Sequence, residues 1–108
     1  MINIFFVLLS IVALAWDPNT ELNLAGYNVY RSEQSGVYGS PINLQPIVVS
    51  SYEDITALQG KTFFYVVTAL NVDGVESGRS NEVIAVVPDI IPPSVVMNEI
   101  GECSISSY

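Results

Sequence analysis

Histidine is absent from all 108 residues, which removes the commonest general base and the commonest metal ligand together. Serines are numerous, but none sits in a Gly-x-Ser-x-Gly elbow that would raise a nucleophile above a sheet. What remains for chemistry is carboxylate: eleven acids against three bases give a net charge of −8. The acids are scattered through turn-like segments, at Asp17, Glu21, Glu33, Glu53, Asp54, Asp73 and Glu76. A calcium site would need roughly six to eight oxygens converging on one point, and no run here has EF-hand spacing. A glycosidase needs two carboxyl groups flanking the scissile bond, and Asp17 with Asp73 would be that pair if their loops met. Neither pattern is written in the spacing. The expectation is a solvated acidic surface, no cofactor or metal, and no enzyme. The single cysteine, Cys103, excludes an internal disulfide; it is either an incidental thiol or a link between two chains. The acidic balance also argues against nucleic acid, since no basic stripe exists to neutralise phosphates.

The elements that must carry these side chains read as strands. Half the residues are hydrophobic, enough to build one core, and the length suits one domain rather than two. Apolar positions alternate with polar ones at Tyr27/Val29, at Tyr65/Val67/Ala69 and at Val83/Ala85/Val87, the period of a half-buried strand. Turn-forming clusters separate the runs: DPNTE, SEQSG, SSYED, LQGK and NVDGVESG. No long amphipathic helix fits after residue 16. The class is all-β, an antiparallel sandwich.

Particular motifs narrow this further. Val12, Leu14 and Trp16 alternate into the turn Asp17-Pro18-Asn19. Gly26-Tyr27-Asn28-Val29-Tyr30-Arg31 follows, then Leu58 and Gly60 ahead of the aromatic-rich run Phe63 to Ala69, and finally Ser80-Asn81-Glu82-Val83. In this order, over residues 10–88, they resemble the fibronectin type III domain, especially the modules of secreted bacterial and archaeal proteins. The resemblance implies an immunoglobulin-like sandwich of about seven antiparallel strands. Its core would hold Val12, Leu14, Trp16, Tyr27, Val29, Leu58, Phe63, Tyr65 and Val67. The family usually has a tyrosine where Phe63 stands, with a hydroxyl that bonds the backbone of the E–F corner. Phe63 has no hydroxyl, so this corner is expected to rest on packing alone. The resemblance also makes residues 71–78 the F–G loop, where the Asp73-Gly74 turn sits and recognition often occurs in the family.

Both ends lie outside that match. Residues 1–9 form an apolar segment, and three readings stay open for the apolar stretch through Ala15. It is a secretory leader cleaved after Ala15, though it lacks a positive start. Or residues 2–7, with Ile2, Ile4 and Phe6 on one face, form strand A beside strand B at residues 10–16. Or it packs on neighbouring subunits or a membrane, which it would touch only through residues 1–15. Residues 89–108 read as a Pro-containing linker followed by a strand-like tail. Val95, Val96, Met97 and Ile100 would make it a donor strand for the next subunit's sheet edge. Outward-facing Tyr30, Phe64, Val66, Ile84 and Val86 would form an apolar interface patch. These features lead to a secreted or surface structural module that binds copies of itself or another surface protein, in a filament. The alternative is a spacer or carbohydrate-associated accessory module of a secreted polysaccharide-degrading system. A flat row made by Tyr30, Tyr38 and Phe64 would favour sugar.

Overall fold

The computed structural model describes residues 2–8, 11–89, 95–97 and 103–105. Two three-stranded antiparallel sheets face each other. The first holds β1 (Ile2–Leu8), β2 (Ile11–Trp16) and β4 (Ser51–Asp54), in the order β1-β2-β4. The second holds β3 (Leu24–Ser32), β5 (Thr62–Asn71) and β6 (Val83–Val86), in the order β3-β5-β6. The tail forms a separate hairpin of β7 (Val95–Met97) and β8 (Cys103–Ile105). Among the described residues six strands make the sandwich. Where a seventh would flank β3, segment 42–47 runs irregularly and closes that edge. Tyr27 and Ile47 exchange backbone bonds of 2.8 and 2.9 Å, and the Asn43 side chain accepts from Val29 N at 2.8 Å. Gly26 permits this approach: a Cβ there would lie 2.8 Å from Pro46 Cβ and 2.9 Å from Ile47 O.

Alternation decides which side chains go inside. Val12, Leu14 and Trp16 from β2 meet Tyr27 and Val29 from β3 and Phe63, Tyr65 and Val67 from β5, all buried as expected. Ile2, Ala85 and Val87 complete the layer. Each fully buried aliphatic side chain stabilises the fold by about 1.5–3 kcal/mol. Trp16 meets the Tyr27 ring edge to face, with centroids 5.2 Å apart. The Tyr27 hydroxyl accepts from Asn19 N at 2.7 Å, pinning the turn that follows β2.

Three expectations are corrected. Leu58 is not core: it is 58% exposed, and Ala57, fully buried, takes the inward position instead. The pair lies between two turns, at 55–56 and 59–60, and only Ala57 is directed inward. Strand B is described from Ile11, and the pairing of Ile2–Leu8 with it gives the apolar head a strand structure; residue 10 lies outside the described residues. A register shift between Ile4 and Phe6 breaks the single alternation of Ile2, Ile4 and Phe6: Ile4 pairs with Leu14, whereas Phe6 pairs with Ala13. The corner at Phe63 does not rest on packing alone. Gly60, at a φ of 77°, donates its N–H to Val87 O at 3.0 Å, and Val87 N donates to Lys61 O at 2.9 Å. The Arg31 guanidinium also lies 4.8 Å from the Phe63 ring centroid.

One polar group stands inside this apolar layer. Asp54, at the end of β4, is 2% exposed. Its Oδ2 accepts from the Tyr65 hydroxyl at 2.6 Å and from Arg31 Nη1 at 2.9 Å. Its Oδ1 accepts from Thr56 N at 3.0 Å and Thr56 Oγ1 at 2.6 Å. Arg31 and Tyr65 belong to the second sheet, so the carboxylate ties the two layers together. Replacing Asp54 with alanine removes the ion pair of Arg31, leaving it only Thr56 Oγ1 and the Phe63 ring, and is expected to destabilise the fold by about 3–5 kcal/mol. Tyr65→Phe removes one donor of four and should cost about 1–2 kcal/mol. Urea unfolding of the two variants checks the order; equal losses would remove the carboxylate from its central place.

Candidate functional site

The outer face of the second sheet gathers most of the remaining polar and aromatic groups. Register places them there: Asn28 opposite Thr68, Tyr30 opposite Val66, and Ser32 opposite Phe64, which in turn faces Ile84. Thr62 pairs with Val86 on the same face. The five residues expected to share an outer patch therefore do share a face, but they do not form one exposed patch. Ile84 and Val86 are exposed, Tyr30 and Phe64 are half-buried, and Val66 is buried at 2% exposure. Val66 has Tyr30 across from it and Phe64 and Thr68 two places along the strand, so large neighbours screen it from water on three sides.

Segment 71–80 folds back onto this face rather than standing free. Asn71 Oδ1 accepts from Asp73 N and Val75 N at 3.0 and 2.9 Å, and Gly74 takes a φ of 80° to close the turn. Beyond the reach of β6, serine hydroxyls substitute for a strand. Ser77 Oγ accepts from Ala69 N and Ser80 Oγ from Val67 N, both at 2.8 Å. Ser77 N and Ser80 N return bonds of 2.8 Å to the carbonyls of Ala69 and Val67. Residues 76–79 are thereby held against β5.

Two carboxylates are fixed by this arrangement. Glu76 Oε2 accepts from the Thr68 hydroxyl, the Tyr30 hydroxyl and, at 3.5 Å, Asn28 Nδ2. Glu82 accepts from Ser35 Oγ, the Tyr38 hydroxyl and, at 2.9 Å, Gly36 N. The bonds from Thr68 and Tyr30 hold the Glu76 carboxyl below its ordinary value, and those from Ser35, Tyr38 and Gly36 do the same for Glu82. Burial and the bond to Glu76 push the Tyr30 hydroxyl up, and burial and Glu82 push up Tyr38. These groups stay ionised carboxylates and neutral phenols through the neutral range. Arg79 stacks over Tyr38, with its guanidinium 5.1 Å from the ring centroid, and Nη1 reaches Gly36 O at 3.4 Å. Tyr30 and Tyr38 meet nearly perpendicular, at 76° with centroids 6.5 Å apart. They form a walled corner and not the flat row that stacking on an extended sugar chain would use.

Among the described residues no group of three acidic or cysteine side chains is placed to hold a metal ion. Asp54, read from sequence as a loop acid, is the buried one. The expected donor strand pairs within its own chain: Val95 with Ile105, Val96 with Ser104 and Met97 with Cys103. Ile100 lies outside the described residues. Sequence reading missed Glu82, Arg79, Thr68 and Asn28 as members of this face. The available signal was Thr68 and Asn28, polar residues at outward positions of otherwise apolar strands, with Glu76 in the loop that closes over them.

No family model matches the chain. Among solved structures, an Fn3-like protein from Clostridium thermocellum superposes with a TM-score of 0.60 at 31% identity, over 76% of this chain and 81% of that one. The chain belongs to the fibronectin type III-like family. A β-1,2-glucanase from Parabacteroides distasonis contains a similar fibronectin type III-like fold, with a TM-score of 0.61 at 25% identity over 80% of this chain. An amylopullulanase from Thermoanaerobacterium thermosulfurigenes is 30% identical over 88 residues, or 81% of this chain. The chain spans 4% of the amylopullulanase and 12% of the glucanase.

The carboxylates predict how the sandwich responds to acid. The folded values of Asp54, Glu76 and Glu82 all lie below their ordinary ones. For Asp54, burial opposes this shift, but the donors Thr56, Tyr65 and Arg31 outweigh it. The unfolded chain therefore binds protons first, and the stability these groups supply is full above their ordinary values and lost as pH falls through the folded ones. The unfolding midpoint in urea should hold from neutral pH to about 5 and fall steeply between about 4 and 2. Asp54→Asn should flatten that fall; an unchanged slope would assign acid sensitivity to other groups.

Proposed function

We propose that this chain is a non-catalytic accessory module of a polysaccharide-degrading system, acting outside the cell by contact with glycan. One observation supports the reading most: an amylopullulanase carries a similar sequence and a β-1,2-glucanase a similar fold, as a minor part of each. A unit that occupies 4% or 12% of such an enzyme serves the larger machine by position or attachment. The chemistry of this chain agrees. Both Asp54 oxygens are saturated by donors, and the surface carboxylates are held below their ordinary values, which suits hydrogen-bond acceptors and not general acids. An acidic surface also suits neutral sugars, which it does not repel, better than anionic polymers.

The self-associating filament expected from the sequence gains no support from these relatives, none of whose names describes an assembly. Its proposed donor strand lies in a hairpin with its own tail. Exposed Ile84 and Val86 remain the place where the module would abut a neighbouring domain.

Affinity electrophoresis separates these readings. The full chain should migrate more slowly through native gels cast with pullulan or β-1,2-glucan than through gels with none. Equal mobility in all gels, with a sedimentation coefficient that rises with protein concentration, would replace glycan contact by self-association.

A further inference from the structure

We propose that the cleft between residues 76–79 and Gly39, on the outer face of the β3-β5-β6 sheet, is a binding subsite for a single glucopyranosyl unit. The proposal rests on the accessory-module reading and says where and how such a module would touch glucan. The cleft is lined by Tyr30, Gly39, Glu76, Gly78 and Arg79 and has a volume of ≈ 400 Å³, within the range of about 300–1,000 Å³ usual for small-molecule sites. Gly39 and Gly78 leave open space where a side chain would stand.

The hydrogen-bonding groups are complementary and already placed. All three bonds to Glu76 end on Oε2, from Thr68, Tyr30 and Asn28. Among the described residues Oε1 has no hydrogen-bond donor, so one oxygen is locked while the other is left to accept from a ligand. Arg79 is steadied by its stack on Tyr38 and, among the described residues, hydrogen-bonds only through Nη1, to Gly36 O at 3.4 Å. Its Nε and Nη2 donors remain for a ligand. An ionised acceptor and a planar cationic donor across one cleft match two neighbouring sugar hydroxyls, one donating to Glu76 and the other accepting from Arg79. The half-buried Tyr30 ring supplies an apolar wall for the sugar's C–H face. Because these partners are tethered before any ligand arrives, little ordering remains to oppose binding.

The ligand's charge and linkage follow from the same groups. Glu76 and Glu82 both stand on this face, so an acidic sugar or a phosphate would be repelled and a neutral one favoured. The two enzymes similar to this chain, one in sequence and one in fold, are named for glucans of different linkage, and what such glucans have in common is the glucosyl ring. The perpendicular tyrosines fit one ring in a corner and do not offer a platform to several.

The test uses the full chain and its Arg79→Ala variant in native gels containing pullulan or β-1,2-glucan. Arg79 is exposed, and a matching thermal midpoint confirms the variant's fold. Loss of this charged donor should weaken retardation about tenfold in both gels. A parallel measurement needs no variant: amide chemical shifts of the wild-type chain titrated with maltotriose and with a β-1,2-linked glucotriose. Shifts should concentrate at Gly39, Gly78 and Arg79 for both sugars. Undiminished retardation of Arg79→Ala, or shifts at Asn19, Glu21 and Asn23, which with Leu24 and Val75 line a second cleft that Glu76 also borders, would overturn the subsite and leave the glycan reading standing. A wild-type chain retarded by neither glucan, with no shifts, would overturn both.

Discussion

A carboxylate buried between two sheets is the interaction on which this sandwich depends. Asp54 cannot be withdrawn from water without replacing its solvation, and four donors do so. Two come from Thr56 just beyond it, and two from the opposite sheet. The second pair fixes how the sheets sit over one another, because Arg31 and Tyr65 must both reach the same oxygen. Apolar packing alone has no such direction: Val12, Leu14 and Val29 would be buried nearly as well after a small slide. The ion pair adds position to an interior that hydrophobic burial stabilises without orienting.

The outer face uses the same chemistry to a different end. Glu76 also gathers donors from two strands, but it does so at the surface and on one oxygen. A carboxylate held by half keeps its geometry and retains a site for a partner. Arg79 is treated likewise, stacked on Tyr38 and only weakly bonded to the backbone. Rigid placement of spare hydrogen-bonding capacity is what a recognition surface needs, and the serine-paired segment 76–80 supplies the rigidity.

The sandwich's edges are closed by devices that are not strands. Segment 42–47 covers β3 through the Tyr27–Ile47 bridge, the bond from Ile42 N to Val29 O and the Asn43 amide, and Ser77 and Ser80 cover the upper part of β5. Such closures keep unpaired backbone from templating other chains. They bear on the filament reading at one place: the outer edge of β3 is engaged by segment 42–47.

Much of this was legible in the chain before any fold was known. Eight of the nine core positions that the family resemblance implied, from Val12 to Val67, are buried, and at Tyr27, Val29, Tyr65 and Val67 alternation pointed the same way because period two is a local property of the strand. The motifs around Trp16, Gly26 and Ser80 marked the family. What alternation could not decide were positions outside regular pairing, such as Ala57 and Leu58 between two turns, or the register shift between Ile4 and Phe6. Nor could it separate Asp54 from the other acids. Its burial depends on Arg31, 23 residues away, and on Tyr65, 11 away. Glu76 reaches Tyr30 across 46 positions. By itself the sequence determined the strands, the core and the acidic surface, because these follow from neighbours in the chain. Which carboxylate is buried, which is half-tethered at a cleft, and which outward valine is hidden were decided by tertiary structure alone, because only folding brings distant donors and bulky neighbours to one point.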